Sequence, residues 1–597
     1  PIMTQNPGLF TAQFQALQSA DFSSLARFTH FTSGDDHLFA FGRFYNPKPG
    51  DILPEFLKHG MPALKSLDGE FLLIIVQAKK IMFLRDRHGA GKQLFYTQTH
   101  CATQLSDFTS VPGFECKPDL EALFTFLSIG YIPSPATSLE GVQKLPGGCL
   151  LTFENNKISV TDLFDFDDFI QHAGKTKLTL DEATLEYERL HKKAIAARIE
   201  NASKIGLLLS GGYDSGGNIS ALRDVYQGDV VSYSIGFKDN PWTELPLAKI
   251  LSERYNSKHY EYEIDGSEIM DLPQIVGALG DPFQEGGLMV NYTAMRLVQQ
   301  SNETPHVILG GDGNDQHFGT SGKELALHWK FKNNGARLVQ QVFDKAGNNS
   351  LFEKDNLFFR SEFHNRKILH IQQSDTFGFT KHQLNKFNKV GYKVPGYEYL
   401  KNAPKSYPDF NNFFFCRNYL VDIKQVINEV ILYKASKMAD LFSNNISFPY
   451  MSTELYEFLK QMPVDYKFHG TLDELSKGQG KSKFLHKRYL KPKLPAEITD
   501  RKKQGGFAPL PIFLKDKEQR KIIFEVIEKS AAVEALFKRD KIKTFLAQYE
   551  NIAATPGYWF WFKQVQANQI INLLTLVVWW EIFITGRKNI KTVADLL

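Results

Sequence analysis

Cysteine is scarce: four residues, at 101, 116, 149 and 416, in a chain of 597. None is spaced as a metal ligand pair and no disulfide framework emerges, so a reducing, cytoplasmic setting is expected. Long apolar runs are missing too. Ile570–Trp580, interrupted by Asn572 and Thr575 and closed by Glu581, is too short to cross a bilayer. It reads as a core helix, with a groove for a partner as the weaker alternative, and no membrane span is expected. Pro1–Gly8 has no basic stretch followed by an apolar one, so no secretory leader is expected. Charge of one sign is absent: 70 Lys and Arg stand against 66 Asp and Glu, a net +4. With no regular basic–aromatic stripe, nucleic acid is not an expected partner. Aromatics abound, with 49 Phe and 23 Tyr, and these read as ordinary packing material. The length predicts two or more domains.

One stretch organises the rest. Ile205-Gly-Leu-Leu-Leu209 reads as a buried strand that stops at Ser210-Gly211-Gly212, and Asp214-Ser215 then lead into a helix over Ile219–Arg223. A strand turning through glycines into a helix start offers backbone N–H groups and the positive end of the helix dipole to an anion. The hydroxyls of Ser210 and Ser215 add donors, and Asp214 can hold a cation against bound phosphates. No lysine follows the glycines, which excludes a P-loop, and the glycine spacing excludes the dinucleotide signature. A Gly-rich turn that binds nothing stays open at this point.

Downstream, strand Asp229–Phe237, a helix from Leu245 to Tyr255 and strand His259–Ile264 alternate as a parallel sheet requires. Ligands of such sheets lie beyond the C-terminal strand ends, where Ser210 and Gly236 fall. A second buried strand ending in glycines and acids follows, in His306-Val-Ile-Leu-Gly310-Gly311-Asp312-Gly-Asn-Asp315-Gln-His-Phe-Gly319. Asp214 with Asp312 or Asp315 can jointly hold Mg2+ against a triphosphate. An EF-hand fails, because no glutamate sits in register. A helix is predicted from Thr179 through Ile199, and another over Ala336–Phe343. The first 165 residues read instead as short strands, at His37–Tyr45, Gly69–Val76, Lys80–Asp86 and Gln93–Tyr96, with one helix over Pro118–Leu127. Between the two regions, Phe164 to Lys177 loses periodicity and reads as a linker.

Ser210-Gly-Gly-Tyr-Asp-Ser215 resembles the pyrophosphate loop of the N-type ATP pyrophosphatases, and its neighbours resemble the asparagine synthetase family, which includes β-lactam and macrolactam synthetases. The resemblance implies a fold: an N-terminal layered, β-rich, glutaminase-like (Ntn-type) domain over 1–165, and an α/β parallel-sheet ATP-pyrophosphatase domain with extra helices over 180–597. It implies ATP held by Leu208, Ser210, Gly211, Gly212, Asp214, Ser215, Ile235, Gly236, Gly310 and Gly311, with Mg2+ on Asp214 and Asp315. Lys483 and Lys503, the latter in Leu494-Pro-Ala-Glu-Ile-Thr-Asp-Arg-Lys-Lys-Gln-Gly-Gly-Phe507, would be the catalytic lysines. Asp281 is expected near the acceptor, and His259 is expected to be structural.

Gly42-Arg-Phe-Tyr-Asn46, Leu67-Asp-Gly-Glu-Phe71, Arg85-Asp-Arg-His-Gly89 and Gly141–Gly148 match the landmarks of the glutaminase domain in order. The cysteine that opens active members is not found, and Pro1 stands first, so the expectation is a structural shell that does not hydrolyse glutamine. Gln316 replaces a usual glutamate and the Glu-x-Arg acceptor element is absent, which shifts the expected substrate away from aspartate. The implied reaction adenylates a carboxylate, releases pyrophosphate, and passes the acyl group to ammonia or to an amine within the substrate, in a specialised biosynthetic pathway. Ammonia-dependent asparagine synthesis and a non-catalytic nucleotide scaffold are the alternatives. A homo-oligomer or a pathway protein partner is left open.

Overall fold

The computed structural model describes residues 10–240, 243–319, 322–331, 334–346, 353–369, 378–391, 407–500 and 508–597. Strict alternation builds the N-terminal layers. Along strand Asp68–Gln77, Leu72, Ile74 and Val76 enter one core while Phe71, Leu73 and Ile75 enter another. That strand is central in a six-stranded antiparallel sheet running from Lys157–Asp162 through Cys149–Glu154, Lys80–Arg85, Asp68–Gln77 and Asp36–Asn46 to Thr29–Ser33. A smaller sheet of Thr11–Gln13, His100–Ala102, Phe95–Tyr96 and Gln143–Lys144 covers one core. Helices Pro49–His59 and Met61–Lys65 cover the other through Ile52, Leu53, Phe56 and Leu64.

The expected linker is not wholly irregular. Asp165 caps a helix over Phe166–His172, whose Phe169 is buried. Its seven residues are too few to declare a helical period, and the buried phenylalanine is what fixes it.

The second region holds a five-stranded, all-parallel sheet. Its parts in chain order are α1 (Leu180–Arg198), β1 (Lys204–Leu208), α2 (Tyr213–Val225), β2 (Asp229–Phe237), α3 (Leu245–Arg254), β3 (Lys258–Ile264), α4 (Leu288–Ser301), β4 (Val307–Leu309) and α5 (Asn314–His317). A π-helix (Asn418–Ile431), α6 (Leu432–Leu441), β5 (Ile446–Ser447), α7 (Phe484–Leu490) and α8 (Phe560–Phe583) complete the parts used below. Thr179 caps α1 in a reciprocal box with Glu182, which is why that helix starts where the sequence predicts. The strand order is β3-β2-β1-β4-β5. Strand order reverses between β1 and β4, and the C-terminal ends there open the crevice in which such sheets bind ligands.

Helix α8 contains the predicted core helix: it is buried from Phe562 to Trp580 apart from Lys563, the amides of Gln564, Gln566, Asn568, Gln569 and Asn572 included. Its Trp579 indole donates to the Gly280 carbonyl at 3.0 Å, and Leu510 N donates to Gln564 Oε1 at 3.0 Å. Among the described residues no helix is long and apolar enough to cross a membrane.

Candidate active site

The loop between β1 and α2 is held open by backbone geometry. Gly211 adopts φ +72°, and a Cβ there would lie 2.8 Å from the Leu247 Cβ and 3.0 Å from both Ala248 N and Glu244 O. Only glycine lets α3 press this closely on the loop. Gly212 caps α2 without a side-chain cap, so no side chain competes for the first-turn N–H groups. Ser215 Oγ accepts from Ser210 N at 3.0 Å and shares a proton with Ser210 Oγ at 3.1 Å, which folds the two hydroxyls together over the helix start.

The loop after β4 lies against this one. A Cβ on Gly311 would sit 3.3 Å from Ser215 N and 3.6 Å from the Asp214 backbone carbon. Gly310 N donates to Ser447 O on β5 at 2.9 Å, and its carbonyl accepts from Asn218 Nδ2 of α2 at 2.9 Å. Leu208 is the last residue of β1, and Ile235 and Gly236 close β2 beside it. The structure thus gathers Leu208, Ser210–Ser215, Ile235, Gly236, Gly310, Gly311 and Asp315 at one end of one sheet.

Charge is concentrated there. Lys483 Nζ lies 2.5 Å from Asp214 Oδ2 and 2.6 Å from Asp315 Oδ1, so both carboxylates face the same cation. Burial pushes Asp214 towards its neutral form, but Lys483 and His486 outweigh it and hold the carboxyl well below the usual range. Burial likewise favours a neutral Lys483, and the two aspartates reverse that and raise it. Asp312 differs. Burial is the largest influence on it, and with Glu285, Asp214 and Asp315 nearby its carboxyl is pushed up to about 6 despite Lys434. Lys434 pairs with Glu285 on the same side.

Asp281 is not available to an acceptor. Its Oδ1 accepts from Ser138 N at 2.8 Å and Ser138 Oγ at 2.7 Å, and its Oδ2 pairs with Lys144 at 3.0 Å. A buried carboxylate must be satisfied, and here the N-terminal layers satisfy it. His259 is tied to Ser232 Oγ at 2.7 Å and Glu261 Oε1 at 3.0 Å, a local structural role. The expected Lys503 lies outside the described residues.

Several site neighbours were not foreseen: Tyr187 on α1, Asn314 on α5, His486 on α7, and Tyr450, whose hydroxyl donates to the Asp214 carbonyl at 2.8 Å. Asn314 lies inside the Gly310–Asp315 stretch already singled out, whereas Tyr187, Tyr450 and His486 carry no motif and reach the site only through packing. The donor set suits magnesium, which takes oxygen ligands and commonly pairs one or two carboxylates with substrate phosphates. Among the described residues no cluster of three or more His, Cys, Asp or Glu forms a separate metal site.

Comparisons with known proteins agree with this geometry. A family model described as asparagine synthase matches residues 186–581, and one described as a glutamine amidotransferase domain matches residues 51–164. Over 555 residues the chain is 22% identical to asparagine synthetase (glutamine-hydrolyzing) 1 of Bacillus subtilis (strain 168), covering 90% of this chain and 81% of that one. Among solved structures, an allosteric regulatory enzyme of purine biosynthesis overlaps at 10% identity with a TM-score of 0.17, over 39% of this chain and 62% of that one. A glutamine phosphoribosylpyrophosphate amidotransferase from B. subtilis overlaps at 9% identity with a TM-score of 0.15, over 49% of this chain and 59% of that one. The chain spans less than two thirds of both structures, and neither overlap bears on function. With the first model covering most of the chain, the protein belongs to the asparagine synthase family of ATP-dependent, AMP-forming carbon–nitrogen ligases.

Proposed function

We propose that the chain condenses a carboxylate with ammonia or with an amine carried by the substrate itself, in a specialised biosynthetic role, and that aspartate is not its carboxylate. The supporting observation is the charge beside Gly310. Asp312 and Glu285 lie near one another there, and Lys434, a cation near them, is already paired with Glu285. A free dicarboxylic acid entering there meets like charge, whereas a substrate bringing an amine meets its complement.

The phosphates lie on the β1–α2 loop, where the first-turn N–H groups of α2 and the Ser210 and Ser215 hydroxyls face them. Leu208, Ile235 and Gly236 border the adenosine by backbone. Asp214 and Asp315 would hold magnesium, which supplies neutralising charge for the triphosphate. The substrate carboxylate oxygen bonds to the α-phosphorus as the bond to the β-phosphate oxygen breaks, and pyrophosphate leaves along the loop. The nitrogen then attacks the acyl carbon, the bond to AMP breaks and the nitrogen loses a proton. Lys483, and Lys503 by resemblance, stabilise charge on the phosphate oxygens. Positioning and electrostatics carry such a reaction, and no protein nucleophile is needed.

We read the N-terminal layers as a shell for this site. Burial pushes the Cys149 thiol up to about 12 and also raises Cys101, Cys116 and Cys416, so none of the four is an activated thiolate. Asparagine synthesis is the second reading, favoured by the name of the Bacillus relative. Pyrophosphate release from Mg-ATP with aspartate, carboxyethylated amino acids and a linear peptide, each with and without ammonia, separates the two. The first reading expects turnover with an amine-bearing substrate and none with aspartate plus ammonia.

A further inference from the structure

Asp214 is surrounded on its inner side by three side chains from three different elements, all fully buried: Tyr187 of α1, Asn314 of α5 and His486 of α7. Asn314 Nδ2 donates to Asp214 Oδ1 at 2.6 Å. That amide orientation is fixed by charge, since the opposite one would set two oxygens against each other. Asn314 Oδ1 is then free to accept, and Tyr187 donates its only hydroxyl proton to it at 2.9 Å. The tyrosine oxygen can therefore only accept from His486 Nδ1, also at 2.9 Å. The far nitrogen of that ring, Nε2, faces Asp214 Oδ1 at 3.2 Å, an ion pair only when the imidazole is protonated, and otherwise has no hydrogen-bond partner. The four side chains are arranged in a ring, hydrogen-bonded from His486 through Tyr187 and Asn314 to Asp214 and open between Nε2 and Oδ1, and every contact it makes with the carboxylate is on Oδ1. Oδ2 alone faces the crevice, where Lys483 meets it.

We propose that Tyr187, Asn314 and His486 are positioning residues that turn Asp214 Oδ1 inward and present Oδ2 alone to the cation that accompanies the nucleotide. The proposal rests on the reading of Asp214 as a cation ligand. It assigns the ring a task beyond filling the core: with Oδ1 committed, Asp214 would offer Oδ2 to a cation, and the site would avoid reorganising the carboxylate when the nucleotide arrives. A ring that only satisfied buried polar groups would support the whole loop. Its loss would weaken the fold and every mode of nucleotide binding together.

The test measures ATP affinity by calorimetry, once with Mg2+ and once in EDTA, for wild type, Asn314→Leu and Tyr187→Phe, alongside a thermal scan. Wild type is expected to bind Mg-ATP more tightly than metal-free ATP. Asn314→Leu keeps the shape but cannot donate. It should hold metal-free affinity within about twofold while the gain from Mg2+ shrinks about tenfold. Tyr187→Phe, which loses one oxygen from the ring, should move the same way by a smaller factor. An unchanged Mg2+ gain in either folded variant overturns the proposal, as does a parallel loss of metal-free affinity. If Asn314→Leu shows no thermal transition, Tyr187→Phe decides. A wild type that binds ATP with no Mg2+ gain overturns the reading of Asp214 as a cation ligand instead, before any variant is considered.

Discussion

Lys483 begins α7 in a left-handed backbone conformation, φ +53°, with its ammonium between two carboxylates. An L side chain seldom rests there, and the two ion pairs compensate the strain. Lys483→Met is expected to lower stability by about 1–3 kcal/mol, because it leaves two partly exposed carboxylates facing each other without their shared cation. Mg2+ alone should then raise the melting temperature of the variant more than that of wild type, a comparison made by thermal scans with and without the ion. Asp214 gives the companion prediction. Asp214→Ala should cut pyrophosphate release by about 100-fold or more, measured in a coupled assay at saturating ATP. The sequence made Asp214 and Asp315 legible because each follows glycines at a strand tip. Tyr187 and His486 were not legible, because an isolated polar residue within a helix looks the same whether it faces solvent or a carboxylate, and Asn314, though inside the Gly310–Asp315 stretch, carried no sign of its partner.

At the scale of elements, the β1–α2 loop depends on a close approach that no larger residue permits. Gly211→Ala must displace Leu247 and the backbone of Glu244 and Ala248, so it should unseat α3 and abolish detectable ATP binding, read by equilibrium titration. Strand β2 was legible residue for residue, and α1 and α3 to within a residue or two, because strong periodicity and caps mark them. The π-helix was not, since its spacing matches neither template. It holds Asp422, whose Oδ2 accepts from Asn418 Nδ2 at 3.2 Å while Asn418 also donates to the Gln316 carbonyl at 2.6 Å. Burial raises the Asp422 carboxyl to about 7 against the pull of Arg417. A raised carboxyl binds its proton in the folded chain before it does so unfolded, so stability falls as pH rises from near 4 to about 7. Asp422→Asn should flatten that fall, recovering up to about 4 kcal/mol near pH 7 in urea titrations.

Across the whole molecule, the N-terminal layers and the synthetase sheet meet through buried charge. Glu70 accepts from Ser447 Oγ of β5 at 2.6 Å and from Tyr45 at 2.6 Å, and it pairs with Arg43, which also donates to the Ile446 carbonyl. Arg198 of α1 pairs with Asp68 at 3.2 Å, and Asp68 in turn accepts from Thr453 N at 3.1 Å. Burial works against the charge on Glu70, but Arg43 and Arg198 outweigh it and keep the carboxyl below its usual range. Its contribution to stability is therefore present above the ordinary glutamate range and lost as pH falls below it. Glu70→Ala should cost about 3–5 kcal/mol and also slow pyrophosphate release, because β5 leads directly into Tyr450 and hence to Asp214. Thermal scans and the pyrophosphate assay on one preparation check both. The landmarks around Leu67–Phe71 announced the layered fold but not this clamp, whose partners are hundreds of residues apart.

The fifth strand has a consequence for biosynthesis. Ile446 and Ser447 leave the ribosome long after Leu309, yet they complete the sheet edge and supply hydrogen-bond partners to Glu70 and Arg43, laid down within the first seventy residues. Until then a half-built nascent chain exposes an open parallel edge and polar groups short of hydrogen-bond partners, a state suited to chaperone capture. Synthesis halted before residue 446 should yield protease-sensitive intermediates, and passage beyond residue 453 should sharply increase their resistance.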